Sequence, residues 1–265
     1  MRRLLAGMLV IVLASCGGGD DGGTLAERVA EAQGARSDAV VRRIAGADPY
    51  DTAAAIALDE YASASDPILA NGDDPADALA GSYLAATHGS ALLLTRRDEL
   101  PQSTIDALAS LRARKVHVLG GPAAIGEGVA AELTSLGYVV NRVAGPDRYA
   151  TAVAVAEEEG TAILGIWPGE GRTVFLANGL RPSDALSAGP IANGQLLPIL
   201  LTATDELPVV TSSALDRLAV EHVIVLGGTA AVSDAVVASI EAGGRSVRRV
   251  AGVDRTSTAT AVADL

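Results

Sequence analysis

Tandem α/β units, each a mainly parallel sheet flanked by helices, are the fold class that this sequence predicts. Three observations predict it. Nearly half of the residues are hydrophobic (49%) but only 3% are aromatic, and small aliphatic side chains suit closely packed α/β layers. Short apolar runs alternate with helical patterns, as expected where buried parallel strands alternate with covering helices. The chain also repeats itself. Asn178-Gly179 lies 107 residues beyond Asn71-Gly72, and Asp184-Ala185-Leu186, Leu200-Leu201-Thr202 and Leu226-Gly227-Gly228 keep that spacing from Asp77-Ala78-Leu79, Leu93-Leu94-Thr95 and Leu119-Gly120-Gly121. Ordered motifs at one fixed offset mark a structural repeat.

Residues 1–15 read as an export signal. Arg2 and Arg3 form a positive start, and LLAGMLVIVLA (4–14) forms an apolar stretch of 11 residues, too short to span a bilayer. The following Leu13-Ala14-Ser15-Cys16 resembles the lipobox of bacterial lipoproteins, in which the cysteine becomes the acylated N-terminus. Cys16 is the single cysteine, so an internal disulfide is excluded. Residues 16–42 are expected to hold the lipidated Cys16, a tether of composition GGGDDGG, and a leading helix around Glu27–Ala32. Such a chain would be exported and lipid-anchored to the outer face of the cytoplasmic membrane, or to an outer membrane.

Repeat unit 1 is assigned to 43–141 and repeat unit 2 to 142–248, with the start of a truncated third unit at 249–265. The opening phrase recurs at Arg43, Arg142 and Arg249; the first interval is 99 residues and the second 107. The second copy therefore carries eight extra residues. They are assigned to Gly165–Gly171, which is rich in Gly and Pro, holds the single Trp, and is expected to be an exposed loop.

Within one unit, a short strand ends at Val143-Ala144-Gly145. A helix follows over Thr151–Glu158 with Arg148 and Tyr149 near its start. Thr173–Ala177 is a strand running into Asn178-Gly179, and a helix of small residues begins at Ser183. Pro198–Leu201 is a strand, Thr211–Val220 a helix, and Val223–Leu226 a strand that stops at Gly227-Gly228. A last helix starts near Val232, with Ser233 and Asp234 as caps.

Candidate ligand-binding residues follow from this layout. Parallel α/β sheets bind ligands at the carboxyl ends of their strands. Asn71, Gly120, Gly121, Asn178, Gly227 and Gly228 are expected there, although turn chemistry alone accounts for such glycines. Asp77 and Asp184 open matching helices, where a carboxylate complements the helix dipole or contacts a ligand. Asp147, Arg148, Asp254 and Arg255 could form ion pairs between units, or Arg could grip phosphate or carboxylate with its forked donors. Thr52, Thr151 and Thr258 are expected to support the local helix.

Catalytic and metal chemistry find no pattern. His88, His117 and His222 have no histidine counterpart in the other repeat, and His117 reads as a core or edge residue of a strand. Zinc-type spacing, a nucleophile elbow and a phosphate loop are all missing from the sequence. No catalytic residue, metal or cofactor is therefore expected. The net charge is −12, and −14 once Arg2 and Arg3 are removed with the leader; no basic face is offered to nucleic acid.

The phrases RVAGPDRYATA from Arg142, Ala177-Asn178-Gly179, Asp184-Ala185-Leu186-Ser187-Ala188, Pro198–Thr202 and Val223–Gly228 together resemble the cell-wall-binding repeat type 2 family of bacterial surface proteins. The resemblance covers about residues 43–265. It implies Rossmann-like or Toprim-like units, often three in tandem around a pseudo-threefold axis beside a separate functional domain. It implies a noncatalytic module that binds an anionic cell-wall glycopolymer. The first copy departs from the pattern with Asp48-Pro49 where the others have Asp147-Arg148 and Asp254-Arg255.

Two readings of 249–265 stand side by side. Its strand and helix could close the sheet of the second unit, or the chain is a fragment, which is favoured because Leu265 falls inside an expected helix with no stop signal. The expected partners are a cell-wall glycopolymer or peptidoglycan, the membrane through the lipid anchor, and further copies in a homo-oligomer. The alternatives are a surface lipoprotein that binds a small molecule, sugar or nucleotide, and a structural lipoprotein that assembles through its repeats.

Overall fold

The computed structural model describes residues 41–160 and 163–265. The leader, Cys16, the tether and the Glu27–Ala32 helix lie outside the described residues. The described chain forms two parallel sheets. The first contains β1 (Ile68–Asn71), β2 (Leu92–Thr95), β3 (Lys115–Leu119) and β4 (Val139–Val143), in the order β2-β1-β3-β4. The second contains β6 (Gly171–Asn178), β7 (Ile199–Thr202), β8 (His222–Leu226) and β9 (Ser246–Val250), in the order β7-β6-β8-β9. Helices α1 (Pro49–Glu60), α2 (Pro75–Thr87), α3 (Gln102–Ser110) and α4 (Glu127–Ser135) serve the first sheet. Helices α5 (Arg148–Glu157), α6 (Gly189–Gln195), α7 (Val209–Arg217), α8 (Asp234–Ala242) and α9 (Arg255–Ala263) serve the second.

The sheets are offset from the sequence repeats. The strand that introduces the second opening phrase, β4, pairs with β3 and completes the first sheet. The strand that introduces the third, β9, pairs with β8 and completes the second. Each opening phrase thus ends one unit before its helix begins the next.

Two sequence expectations need correction. Gly165–Gly171 is not simply an exposed loop. Ile166–Trp167 forms a strand, β5, antiparallel to the start of β6, pairing Ile166 with Arg172. Trp167 turns inward against the core while Ile166 stays exposed. The helix expected from Ser183 is split into a 3-10 turn over Pro182–Ala188 and α6. Pro190 stands where the first unit has Tyr83. It lacks the N–H that would bond back to the carbonyl of Leu186, so one continuous α-helix is not available there.

Strand alternation sorts the core into three parts. Leu69, Leu93, Val116 and Val118 face an outer core with α1, α3 and α4. Val174, Leu176, Leu200, Val223 and Val225 face the matching outer core of the second unit. The residues between them in sequence, Ile68, Ala70, Phe175, Ala177, Ile199, Leu201, Ile224 and Leu226, all face one shared core between the units. Every second side chain of a strand points the same way, so both sheets contribute one face to a common interior. Helix α2 fills it with Leu79, Ala80, Tyr83 and Leu84, and α5 adds Ala152 and Val155.

Tyr83 is fully buried in that interior, and its hydroxyl has no hydrogen-bond partner among the described residues. Burial first, then the nearby Glu159, pushes its pKa up to about 12. An unsatisfied buried hydroxyl costs about 1–3 kcal/mol. Tyr83→Phe is therefore expected to raise stability by about 1 kcal/mol, the small void offsetting part of the gain, as read from the denaturant midpoint. A fall in the midpoint would mean that the hydroxyl is satisfied in solution.

Candidate strand-end site

The carboxyl ends of β1 and β3 open into a cleft of about 300 Å³. Its walls include Asn71, Asp74, Asp77, Gly121, Ala124, Pro146, Asp147, Arg148 and Thr151. Five candidate positions from the sequence thus come together: Asn71, Asp77, Gly121, Asp147 and Arg148. Gly120 sits beside them, with φ +86 and no room for a side chain against the carboxylate of Asp77. The cleft is built from both repeats. The Asn-Gly, Asp-Ala-Leu and Gly-Gly motifs come from the first copy, and the Asp-Arg pair comes from the next copy's opening phrase.

Each wall has an identifiable cause. Asn71 ends β1 and is almost fully buried. Its amide donates to the carbonyl of Ala124 at 2.6 Å and accepts from the backbone of Asp73 at 2.7 Å. Gly72 leaves room for the ring of Tyr50. Arg142, at the end of β4, donates through Nη1 to the carbonyls of Gly120 (2.8 Å) and Ile125 (3.0 Å), and so holds the Gly-Gly loop. Asp147 has the extended backbone of an N-cap and accepts from the N–H of Ala150 at 2.8 Å. Thr151 accepts from the N–H of Gly145 at 3.1 Å, the supporting role expected of it.

Arg148 joins the two units. Its Nη1 donates to the carbonyl of Gly179 at 2.8 Å and its Nη2 lies 3.0 Å from Oδ2 of Asp74. It thus makes an ion pair between units, one of the two roles open to it. Asp74 also caps α2 through the N–H of Ala76. Asp77, in the first turn of α2, has no such partner. Burial first, then the Asp74 carboxylate, raises its pKa to about 6, against the opposing charge of Arg148.

The second unit reproduces the arrangement. Asn178 donates to the carbonyl of Ala231 at 2.6 Å and accepts from Leu180 and Arg181. Arg249 holds Gly227 (3.0 Å) and Val232 (2.7 Å) as Arg142 holds its loop. Gly227 has φ +101, and a Cβ there would lie 2.8 Å from Oδ2 of Asp184. Asp254 caps α9 with backbone angles of −146° and 177°, the same as those of Asp147. Arg255 is exposed and has no ion-pair partner among the described residues. Gly228 follows Gly227 in the loop and meets nothing that would exclude a side chain.

Sequence comparison of the repeats missed Asp74, Arg142 and Arg249. Asp74 escapes because its counterpart is Arg181; a search for shared residues discards such a position. Arg142 and Arg249 were read as part of an opening phrase, whereas their side chains serve the unit before it. The histidines stand apart. His117 is fully buried in β3 and pairs with Ile68 at the start of β1, away from the strand ends. Burial first, then Lys115 and His88, lowers its pKa to about 4.

The sequence matches the family model Cell wall binding domain 2 over residues 43–130 and 142–237. It is 29% identical over 221 residues to the N-acetylmuramoyl-L-alanine amidase LytC of Bacillus subtilis, spanning 83% of this chain and 42% of that protein. It is 30% identical over 217 residues to the amidase enhancer of the same organism, spanning 82% of this chain and 28% of that protein. Among solved structures, Cwp6 and Cwp8 from Clostridium difficile superpose with TM-scores of 0.75 and 0.72 at 26% and 25% identity. Each match covers 83% of this chain and 35% or 36% of the other. The chain therefore spans less than half the length of these relatives.

Two outcomes are expected from the first cleft. Between the ordinary value of 3.8 and about 6, the folded chain keeps a proton on Asp77 that the unfolded chain has released. Stability should therefore fall as pH rises through that window. Asp77→Asn should be more stable than the parent at pH 7, by about 1 kcal/mol after solvent screening, with the gap closing below pH 4. Thermal melts across pH would check this, and a gap independent of pH would refute it. Arg148→Ala should cost about 1–2 kcal/mol through the lost carbonyl bond and ion pair. Arg255→Ala, with no such contacts, should change the denaturant midpoint by less than about 0.5 kcal/mol.

Proposed function

The chain belongs to the Cell wall binding domain 2 family, and we propose that it is a noncatalytic binding module of the bacterial cell envelope. In this reading the strand-end clefts of the two units recognise an anionic cell-wall glycopolymer. Cys16, acylated after removal of the leader, ties the module to the membrane. The observation that carries the reading is that the family match spans both repeats, and that its recurrent motifs meet at the strand ends. A wall of Asn, Asp and Arg side chains with backbone groups suits a hydroxyl-rich, charged polymer. The relatives are named as an N-acetylmuramoyl-L-alanine amidase and an amidase enhancer. In them the matched region is a minority of the chain, which suits a targeting part.

Net charge opposes this function at long range, because the −14 left once Arg2 and Arg3 go with the leader repels an acidic polymer. Recognition must then come from local arginines or from bridging cations. Cosedimentation of the purified chain with peptidoglycan that bears its polymers, and with the same material stripped of them, tests the proposal. Binding is expected to fall at least tenfold on stripping. Equal binding to both would make peptidoglycan itself the ligand, and binding to neither would refute a wall-binding role.

A further inference from the structure

The two strand-end sites are alike in framework and differ in charge. Asn71 and Asn178 make the same bonds, Arg142 and Arg249 hold the same loops, and Asp147 and Asp254 cap with the same backbone angles. The exchange is at one position. Where the first unit has Asp74, bonded at 3.0 Å to Arg148, the second has Arg181, and Arg255 stands at the repeat position of Arg148. The first cleft therefore carries three carboxylates (Asp74, Asp77, Asp147) and one arginine whose two arms are already bonded. The second carries two carboxylates (Asp184, Asp254) and two arginines.

Those two arginines are available. Arg181 is exposed, and its one side-chain hydrogen bond among the described residues is a long 3.4 Å bond from Nη1 to the carbonyl of Ala230. Arg255 is exposed and has no acidic partner among the described residues. Helix α9, which carries Arg255, packs on the 3-10 turn that follows Arg181, as α5 packs on α2 in the first unit. Arginines with no acidic partner leave their donors to a ligand, and planar guanidinium forks match phosphate and carboxylate oxygens.

We infer that the strand-end site of the second unit is an anion subsite. Arg181 and Arg255 take a phosphate or carboxylate of the polymer, and Asp74 closes the first cleft to the same group. Arg181 is the residue that determines the difference. The inference rests on the proposed wall-binding function and assigns its anionic contact to one of two similar sites. It also eases the tension with net charge, since two arginines there balance the two carboxylates, whereas carboxylates outnumber arginine in the first site.

The test is titration of the purified full chain with two probes of defined chemistry, a glycerol phosphate oligomer and an oligogalacturonate, at fixed salt. The variants are Arg181→Asp and, as a control of equal charge change, Arg114→Asp. Arg114 is exposed at the opposite, amino-terminal end of β3. Arg181→Asp is expected to weaken binding about tenfold or more, the loss typical of a deleted charge-assisted bond. Arg114→Asp should stay within about twofold. Loss with one probe alone supports the inference and identifies the anion. Equal loss in both variants, or no loss in Arg181→Asp, overturns it. If the unaltered chain sediments with polymer-bearing wall but binds neither probe, the anion subsite is refuted and the wall-binding function stands. If it binds neither wall nor probe, both fall. Thermal melts of each variant show that the fold is retained.

Discussion

One buried amide at the end of the central strand organises each site. Asn71 and Asn178 reach from their strands across to the loop after the neighbouring strand, and hold its carbonyl at 2.6 Å. The amide oxygen is turned back on the chain's own next turn. A single side chain thus fixes two loops that have no backbone bonds to one another. Asn178 is all but excluded from water, so removing its amide would leave a buried carbonyl unpaired. The glycine that follows is required by the next layer outward: Gly72 and Gly179 lie against the rings of Tyr50 and Tyr149, where a Cβ would intrude. The Asn-Gly pair is therefore a tie and a clearance, and the walls of the cleft are placed by both.

Much of this was legible because period-2 apolar runs, strand-end glycines and a fixed offset each have one cheap structural meaning. The parallel sheets and the gathering of Asn71, Asp77, Gly121, Asp147 and Arg148 follow from them. What was not legible depends on partners distant in sequence. Gly and Pro around Trp167 signal a turn, but the Trp side chain has somewhere apolar to go, and that converts a loop into a hairpin. Pro190 splits a helix that its Tyr83 counterpart leaves whole. The ion-pair partner of Arg148 is Asp74, a residue that the comparison of repeats filters out because it is not shared.

The recurring phrase also changes meaning once the sheets are seen. A repeat read from sequence begins at its most recognisable words. Here those words end a structural unit: strand β9 closes the second sheet, and Arg249, Asp254 and Arg255 complete the surroundings of the second cleft. Pro49 in the first opening phrase has no donor for the carbonyl of Gly72, whereas Arg148 donates to that of the equivalent Gly179.

Only four residues, 144–147, separate β4 from α5, and both sheets turn one face into the same interior. Such a pair has no swivel. Opening one unit would strip water-averse surface from the other, so the two are expected to share one cooperative transition instead of melting in sequence. A load applied at either end would be borne by both sheets together, and a protease would find little of the joint to cut until the whole had come apart.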